Sequence, residues 1–323
     1  MGPNGEFMIV SRFEAQTAKA VYIYLLRGTK RTLLIDSGLS DTPEDVLLPG
    51  LAAEHLEPQQ LTDCVITHAD CDHCGGDAAL RLTCPHLHLH APTGDRAMIE
   101  QPERLMHQRY EAYEARHGVG YDPETKTWIA QTAGRATPVD SVLNPGDTID
   151  LGGGTLEVMA LPGHTAGHLG LHHVEESTLY VGDALLGHGE YALDGTLHAP
   201  PSYVTVSGYL DTIERVRALR PERLMFAHRE VVEGSGIAPF LDECTRWVHE
   251  VDAAVQRGVQ RPGGATLREL MEEHATSFGT FNAPVDLMYA LSAHLDALVE
   301  KGLAHKSLAT QTSGTPERFQ WVR

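Results

Sequence analysis

Thr67-His68-Ala69-Asp70-Cys71-Asp72-His73-Cys74-Gly75-Gly76 is the stretch on which the reading of this chain turns. Four potential metal ligands, His68, Asp70, Asp72 and His73, fall within six residues. They follow CVITHA (64–69), an apolar run of strand type, and so predict a loop at a strand end that aims several donors at one pocket. Imidazole suits zinc, iron and other transition ions, whereas carboxylates suit harder ions or bridge two metals. The paired glycines permit a tight turn into GGDAALRL (75–82), which reads as a short helix.

Three later pieces extend the constellation. Pro162-Gly163-His164-Thr165-Ala166-Gly167-His168 sets a His after a Gly turn, Tyr180-Val181-Gly182-Asp183 ends a strand pattern in Gly-Asp, and Met225-Phe226-Ala227-His228 ends another in His. One such His or Asp is more often structural, but seven in this order, in a chain with 19 histidines, point to metal binding.

Around these motifs, AVYIYLLRG (20–28) and RTLLIDSG (31–38) read as a hairpin, and DTPEDVLLPGLAAEHL (41–56) as a helix. HLHLHAP (86–92) reads as a strand, and 96–118 as mostly helical, followed by a loop rich in Thr, Gly and Pro. Strand patterns return over 146–163 and 168–186. An amphipathic helix forms within 203–221, a last strand covers 222–228, and a strong helix covers 240–258. Strands and helices in mixed order, with polar motifs at strand ends, predict an α/β sandwich whose loops carry function.

RPGG (261–264) is a turn or linker signal, which divides the chain into a catalytic domain over 1–258 and a C-terminal unit over 259–323. That unit runs TLRELMEEH (266–274), VDLMYALSAHLDALVEKG (285–302) and two strands within 303–323, the helix, helix, hairpin order of a small winged-helix unit.

The 44 acidic against 25 basic residues leave a formal charge of −19, which opposes loose binding to phosphate backbones or anionic membranes. No apolar run approaches the ~20 residues that span a bilayer. The five cysteines are an odd number, and no segment reads as an export signal, so reduced thiols and a cytoplasmic setting are expected.

The ordered motifs resemble the metallo-β-lactamase superfamily, whose usual form is HxHxDH followed by His, Asp and His at later strand ends. LLIDSG (33–38) also matches its early strand and Asp-Ser/Thr-Gly turn. The resemblance implies an αββα sandwich and a dinuclear metallohydrolase with two divalent ions, Zn first and Fe or Mn as alternatives. By that resemblance His68, Asp70 and His164 hold one ion, Asp72, His73 and His228 hold the other, and Asp183 bridges them. A hydroxide between the ions would be the nucleophile, with Asp72 as the catalytic residue that orients it and relays its proton. The implied substrate is a small-molecule ester, lactone or thioester.

Asp70 departs from the pattern, since it replaces the usual His. An anion there hardens the first site toward Mn or Fe. HxDxDH resembles bacterial phosphorylcholine esterases and DNA-uptake-channel hydrolase domains, and an acidic ligand at this position resembles the HxExDH of flavodiiron proteins. Phosphodiesterase or nuclease activity, and a diiron redox or oxygen-binding role, therefore stay open. The interval from His73 to His164 is longer than in compact lactonases and thioesterases of this fold. The excess falls at about 95–140 and reads as a lid, with Tyr110, Tyr113 and Tyr121 as candidate substrate contacts.

Other residues receive plainer readings. Asp36 orients a ligand or stabilises its turn. His168 is a turn residue near the site. His86, His88 and His90 share a solvated strand face. Cys71 and Cys74 flank ligands, so a redox role is not expected. The C-terminal unit resembles the winged-helix tail of β-lactamase-like hydrolases. Its six Lys/Arg against seven Asp/Glu favour packing or homodimer formation over nucleic-acid binding.

Overall fold

The architecture comes from a computed structural model that describes residues 9–307 and 316–322. The strand Ala20–Arg27 (β2) shows how the layers arise. Its side chains alternate, so Tyr22, Tyr24 and Leu26 face one way and Ile23 and Leu25 the other, and both sets are buried. A strand covered on both faces belongs between layers. β2 pairs antiparallel with Ile9–Gln16 (β1) and with Thr32–Ile35 (β3), confirming the expected hairpin. Asp63–Val65 (β4), His88–Pro92 (β5) and Ser141–Leu143 (β6) follow β3 in parallel, giving the sheet order β1-β2-β3-β4-β5-β6.

The second sheet contains Thr148–Asp150 (β7), Thr155–Ala160 (β8), Leu169–His173 (β9) and Thr178–Gly182 (β10). After a small hairpin, Glu190–Tyr191 (β11) with Leu197–Ala199 (β12), it is completed by Arg223–Phe226 (β13) and Val232–Glu233 (β14), in the order β14-β13-β10-β9-β8-β7. Tyr24, Leu26, Val65, Leu156, Val158, Leu171 and Tyr180 fill the space between the sheets. Helices cover the outer faces, with Leu47, Leu51, Leu80, Leu105 and Ile129 on the first sheet and Ile213, Val216, Phe240, Trp247 and Val251 on the second. This is the expected αββα sandwich. Burial of each such side chain contributes ~1.5–3 kcal/mol.

Three local departures matter for the site. The ligand stretch is not all loop: Cys71–Cys74 is one helical turn entered from an extended Asp70 (φ −134°, ψ 151°). The 95–140 insertion is broken into short helices. One of these, Pro123–Thr132, lies where a loop was expected and is capped by the Asp122 carboxylate, which accepts from the Glu124 and Thr125 amides. Met106–Tyr110 is a π-helical turn.

The C-terminal unit has the expected order of two helices, Leu267–His274 and Leu287–Glu300, and two strands, Ala304–Ser307 (β16) and Arg318–Trp321 (β17), which pair antiparallel. Ala265–Thr266 (β15) adds to β17, and most of the polar stretch joining β16 to β17 lies outside the described residues. The helix Ile237–Gln260 runs through the 258/259 boundary. Leu270, Leu287, Leu291 and Leu295 share one core with Trp247 and Val255 and with Tyr113 and Val119 of the insertion. No helix among the described residues is long and apolar enough to cross a membrane.

Candidate metal centre

The C-terminal ends of β3, β4, β10 and β13 deliver Asp36, the 67–73 stretch, Asp183 and His228 to one rim of the sandwich, and the turn between β8 and β9 adds His164. Each of the four imidazoles is tied through Nδ1. His164 Nδ1 donates to the Ser202 carbonyl at 2.9 Å and His228 Nδ1 to the Ala20 carbonyl at 2.8 Å. His73 Nδ1 donates to Asp36 Oδ2 at 2.9 Å. Thr67 Oγ1 gives its proton to Asp36 Oδ2 at 3.0 Å, so it accepts from His68 Nδ1, also at 3.0 Å. With Nδ1 engaged in every case, all four Nε2 atoms face inward and are the ring nitrogens left to meet a metal. Asp36 thus orients two imidazoles at once, His73 directly and His68 through Thr67. It also accepts from the Thr67 amide at 2.7 Å and sits at φ +68°, a conformation few side-chain-bearing residues adopt.

The residues fit divalent ions. His68 Nε2, His73 Nε2 and Asp183 Oδ1 are buried with no hydrogen-bond partner, a costly state that ligation would relieve. Donor atoms of His68, His164 and Asp183 lie within 4.8 Å of one another, as do those of Asp72, His73 and His228. Asp183 Oδ2 is 3.4 Å from His73 Nε2 and 3.1 Å from His228 Nε2. Burial alone would lower the His228 imidazole, but Asp183 beside it pushes it up to about 10. Burial opposes ionisation of Asp183 too, and His228 and His73 overcome it, holding the carboxyl well below its usual range. The nest attracts positive charge. His168, expected as a turn residue, is buried, stacks on His68 and accepts the Asp183 amide at 3.2 Å, which fixes the Asp183 backbone.

Two cations at the centre have no signal in the motifs. Arg109, on the π-helical turn and buried, makes a two-pronged pair with Asp70, from Nε to Oδ1 at 2.8 Å and from Nη2 to Oδ2 at 2.9 Å. The neighbouring Tyr110 hydroxyl also donates to Asp70 Oδ1 at 3.2 Å. The anion that was expected to harden the first site is therefore charge-balanced by the insertion. Lys19, just before β2, reaches Glu190 Oε2 at 2.5 Å, His228 Nε2 at 3.1 Å and Asp72 Oδ2 at 3.3 Å.

A pocket of about 370 Å³ opens beside these groups. Tyr110 and Tyr121 line it, as does Trp128, which is 45% exposed at its mouth. Tyr113 does not, because it is turned into the core against Tyr289. Sequence reasoning also missed Asp286 and Tyr289, which bring the C-terminal unit to the pocket wall, where the Tyr121 hydroxyl donates to Asp286 at 2.5 Å. The His86/His88/His90 alternation breaks up as well: His86 precedes β5, while His90 is buried and pairs with Asp63 at 2.8 Å. All five cysteines are free and buried.

Comparison with known proteins gives the same fold. A metallo-β-lactamase family protein from Thermus thermophilus superposes with a TM-score of 0.73 at 19% identity, over 97% of this chain and 98% of that one. A β-lactamase domain protein from Burkholderia ambifaria gives 0.73 at 16% identity, over 99% and 97%. In sequence, the chain is 26% identical over 234 residues to human acyl-coenzyme A thioesterase MBLAC2, covering 66% of this chain and 72% of that protein. It is 29% identical over 210 residues to the hydroxyacylglutathione hydrolase of Aeromonas salmonicida, covering 65% of this chain and 61% of that enzyme. The family model described as Metallo-beta-lactamase superfamily matches residues 17–228, a span running from just before Lys19 to His228, and the chain belongs to that superfamily.

Proposed function

We propose that this chain is a metal-dependent hydrolase of a small-molecule thioester. The observation that carries the reading is the ring of four inward-facing Nε2 atoms around Asp183, beside a pocket of about 370 Å³. Within the wider class of esters, lactones and thioesters, the names of the relatives, acyl-coenzyme A thioesterase and hydroxyacylglutathione hydrolase, favour the thioester. His68, Asp70, His164 and Asp183 would hold one ion, and Asp72, His73, His228 and Asp183 the other. Zn is the first expectation, with Fe or Mn served by the carboxylate share. When bound, divalent ions supply a water of lowered pKa and polarise the attacked carbonyl.

The chain's own residues do the rest. Burial opposes the charge on Asp72, but Lys19 beside it holds the carboxyl ionised far below neutral pH. An ionised Asp72 lining the pocket can accept a hydrogen bond from the nucleophile and so orient it. Tyr110, Tyr121 and Tyr289 line the pocket and would shield it from bulk water. The pocket volume is that of a small-ligand site, and the charge of −19 opposes loose binding of a nucleic-acid backbone.

A panel of acyl thioesters, aryl esters, lactones and bis-aryl phosphates tests the reading. Thioesters should lead in kcat/KM, and Asp183→Ala should remove most activity. Preference for the bis-aryl phosphates would replace it with phosphodiesterase action. Two tightly held irons with an oxygen-sensitive visible band would replace it with redox chemistry.

A further inference from the structure

We propose that Arg109 occupies donor atoms of the first metal position. The chain then binds one divalent ion tightly, on Asp72, His73 and His228, and a second only weakly. The inference rests on the reading that the centre binds divalent ions, and it concerns what the insertion does to them.

Arg109 Nη2 carries two N–H groups and faces two candidate ligand atoms, Asp70 Oδ2 at 2.9 Å and His164 Nε2 at 3.2 Å, which themselves pair with each other at 2.9 Å. One guanidinium nitrogen thus engages two of the four donors assigned to the first ion. The remaining Asp70 oxygen is taken by Arg109 Nε and the Tyr110 hydroxyl. An ion bound to His164 Nε2 would lie against a fixed positive charge, and Asp70 would meet it as half of a neutral pair.

Arg109 has little freedom to withdraw. Nη1 donates to the His164 carbonyl at 3.3 Å, Tyr289 covers one face of the guanidinium, and the residue is 5% exposed. A planar fork matched to one carboxylate holds its geometry better than a single-point cation.

The second position differs in kind. Lys19 also lies close to it, but as one ammonium on a flexible stem with a carboxylate of its own, Glu190, to retreat to. Asp72 and Glu190 outnumber that single cation, so the second position keeps a net negative charge. At the first position Asp70 and Arg109 cancel, leaving only the shared Asp183.

The test is a Zn²⁺ titration of chelator-stripped protein against a competing chromophoric chelator, with bound metal counted by mass spectrometry. Wild type should take one ion at least about 100-fold more tightly than the second. Arg109→Gln, and Asp70→His combined with Arg109→Gln, should bring the second ion to within about tenfold of the first. The double variant removes the carboxylate that Arg109→Gln alone would leave unpaired, and thermal melts of both stripped proteins verify folding. Two equally tight ions in wild type, or a second affinity that neither variant changes, overturns the proposal while leaving the metal reading intact. If stripped wild type takes no Zn²⁺, or His73→Ala binds as tightly as wild type, the metal reading itself fails and this inference with it.

Discussion

The Arg109 guanidinium lies over the ring of Tyr289, 4.4 Å from its centroid, so the insertion and the C-terminal helix meet at the residue that grips Asp70. A desolvated cation–π contact of this kind is worth ~2 kcal/mol. Tyr289→Leu should lose about that much in urea unfolding. Tyr289→Phe keeps the aromatic face and should lose less, even though it gives up the hydroxyl 3.2 Å from Tyr121. Equal losses would show that the ring face contributes only packing.

Asp36 supports a second prediction. It accepts from the Thr67 amide and hydroxyl and from His73 Nδ1, so it sets two imidazoles while touching no predicted metal position. Removal of such a support weakens metal affinity about 10–100-fold. Asp36→Asn, which tolerates the positive φ, should show that loss in a Zn²⁺ titration with little change in melting temperature of the stripped protein. An unchanged affinity would remove Asp36 from the centre.

The parts readable from sequence were those that repeat with a period or end an element. Alternation in β2 and the run of strand-end donors prescribe two packed sheets and a rim, because side-chain period and strand ends are local properties. The helix at Pro123–Thr132 also has a local signal, Asp122-Pro123, masked by the Thr, Gly and Pro content of the segment around it. Arg109, Lys19, Asp286 and Tyr289 had none. Each reaches the pocket from an element remote in sequence, and a lone Arg or Lys on a helix or strand edge is ordinarily a solvated charge. The significance of Asp70 was visible as a departure from pattern, but its charge balance depends on Arg109, 39 residues away.

His117 makes stability pH-dependent at the junction between the insertion and the C-terminal unit. It is buried between Tyr113 and Phe319, close to Ser292 Oγ, with Arg116, Lys306, Asp296 and Glu317 around it. Burial, aided by Arg116, lowers the imidazole to about 4. Because its folded pKa lies below the unfolded value near 6.5, its contribution is fully present above pH 6.5 and is lost as pH falls toward 4. That fall amounts to ~3 kcal/mol. His117→Gln should therefore lose less unfolding free energy than wild type between about pH 7 and about pH 4.5. Parallel curves would mean that the ring protonates without cost.

Lys19 yields the prediction that bears most directly on the metal. Its ammonium lies 2.5 Å from Glu190, 3.3 Å from Asp72 and 3.1 Å from His228 Nε2, and its side chain is largely buried. Without a metal ion it is, beside the His228 imidazole 3.3 Å from Asp72, a cation that keeps Asp72 and Glu190 from facing each other unpaired. Lys19→Met should therefore cost the stripped protein about 3–5 kcal/mol, the usual result of removing one partner from a buried ion pair. A divalent ion supplies the missing positive charge, so the loss should shrink when Zn²⁺ is bound, and Zn²⁺ affinity should rise. Melting temperatures with and without Zn²⁺ decide the matter. A wider gap in Lys19→Met than in wild type shows Lys19 and the ion competing for the same carboxylates, while an equal drop in both states assigns Lys19 to packing alone.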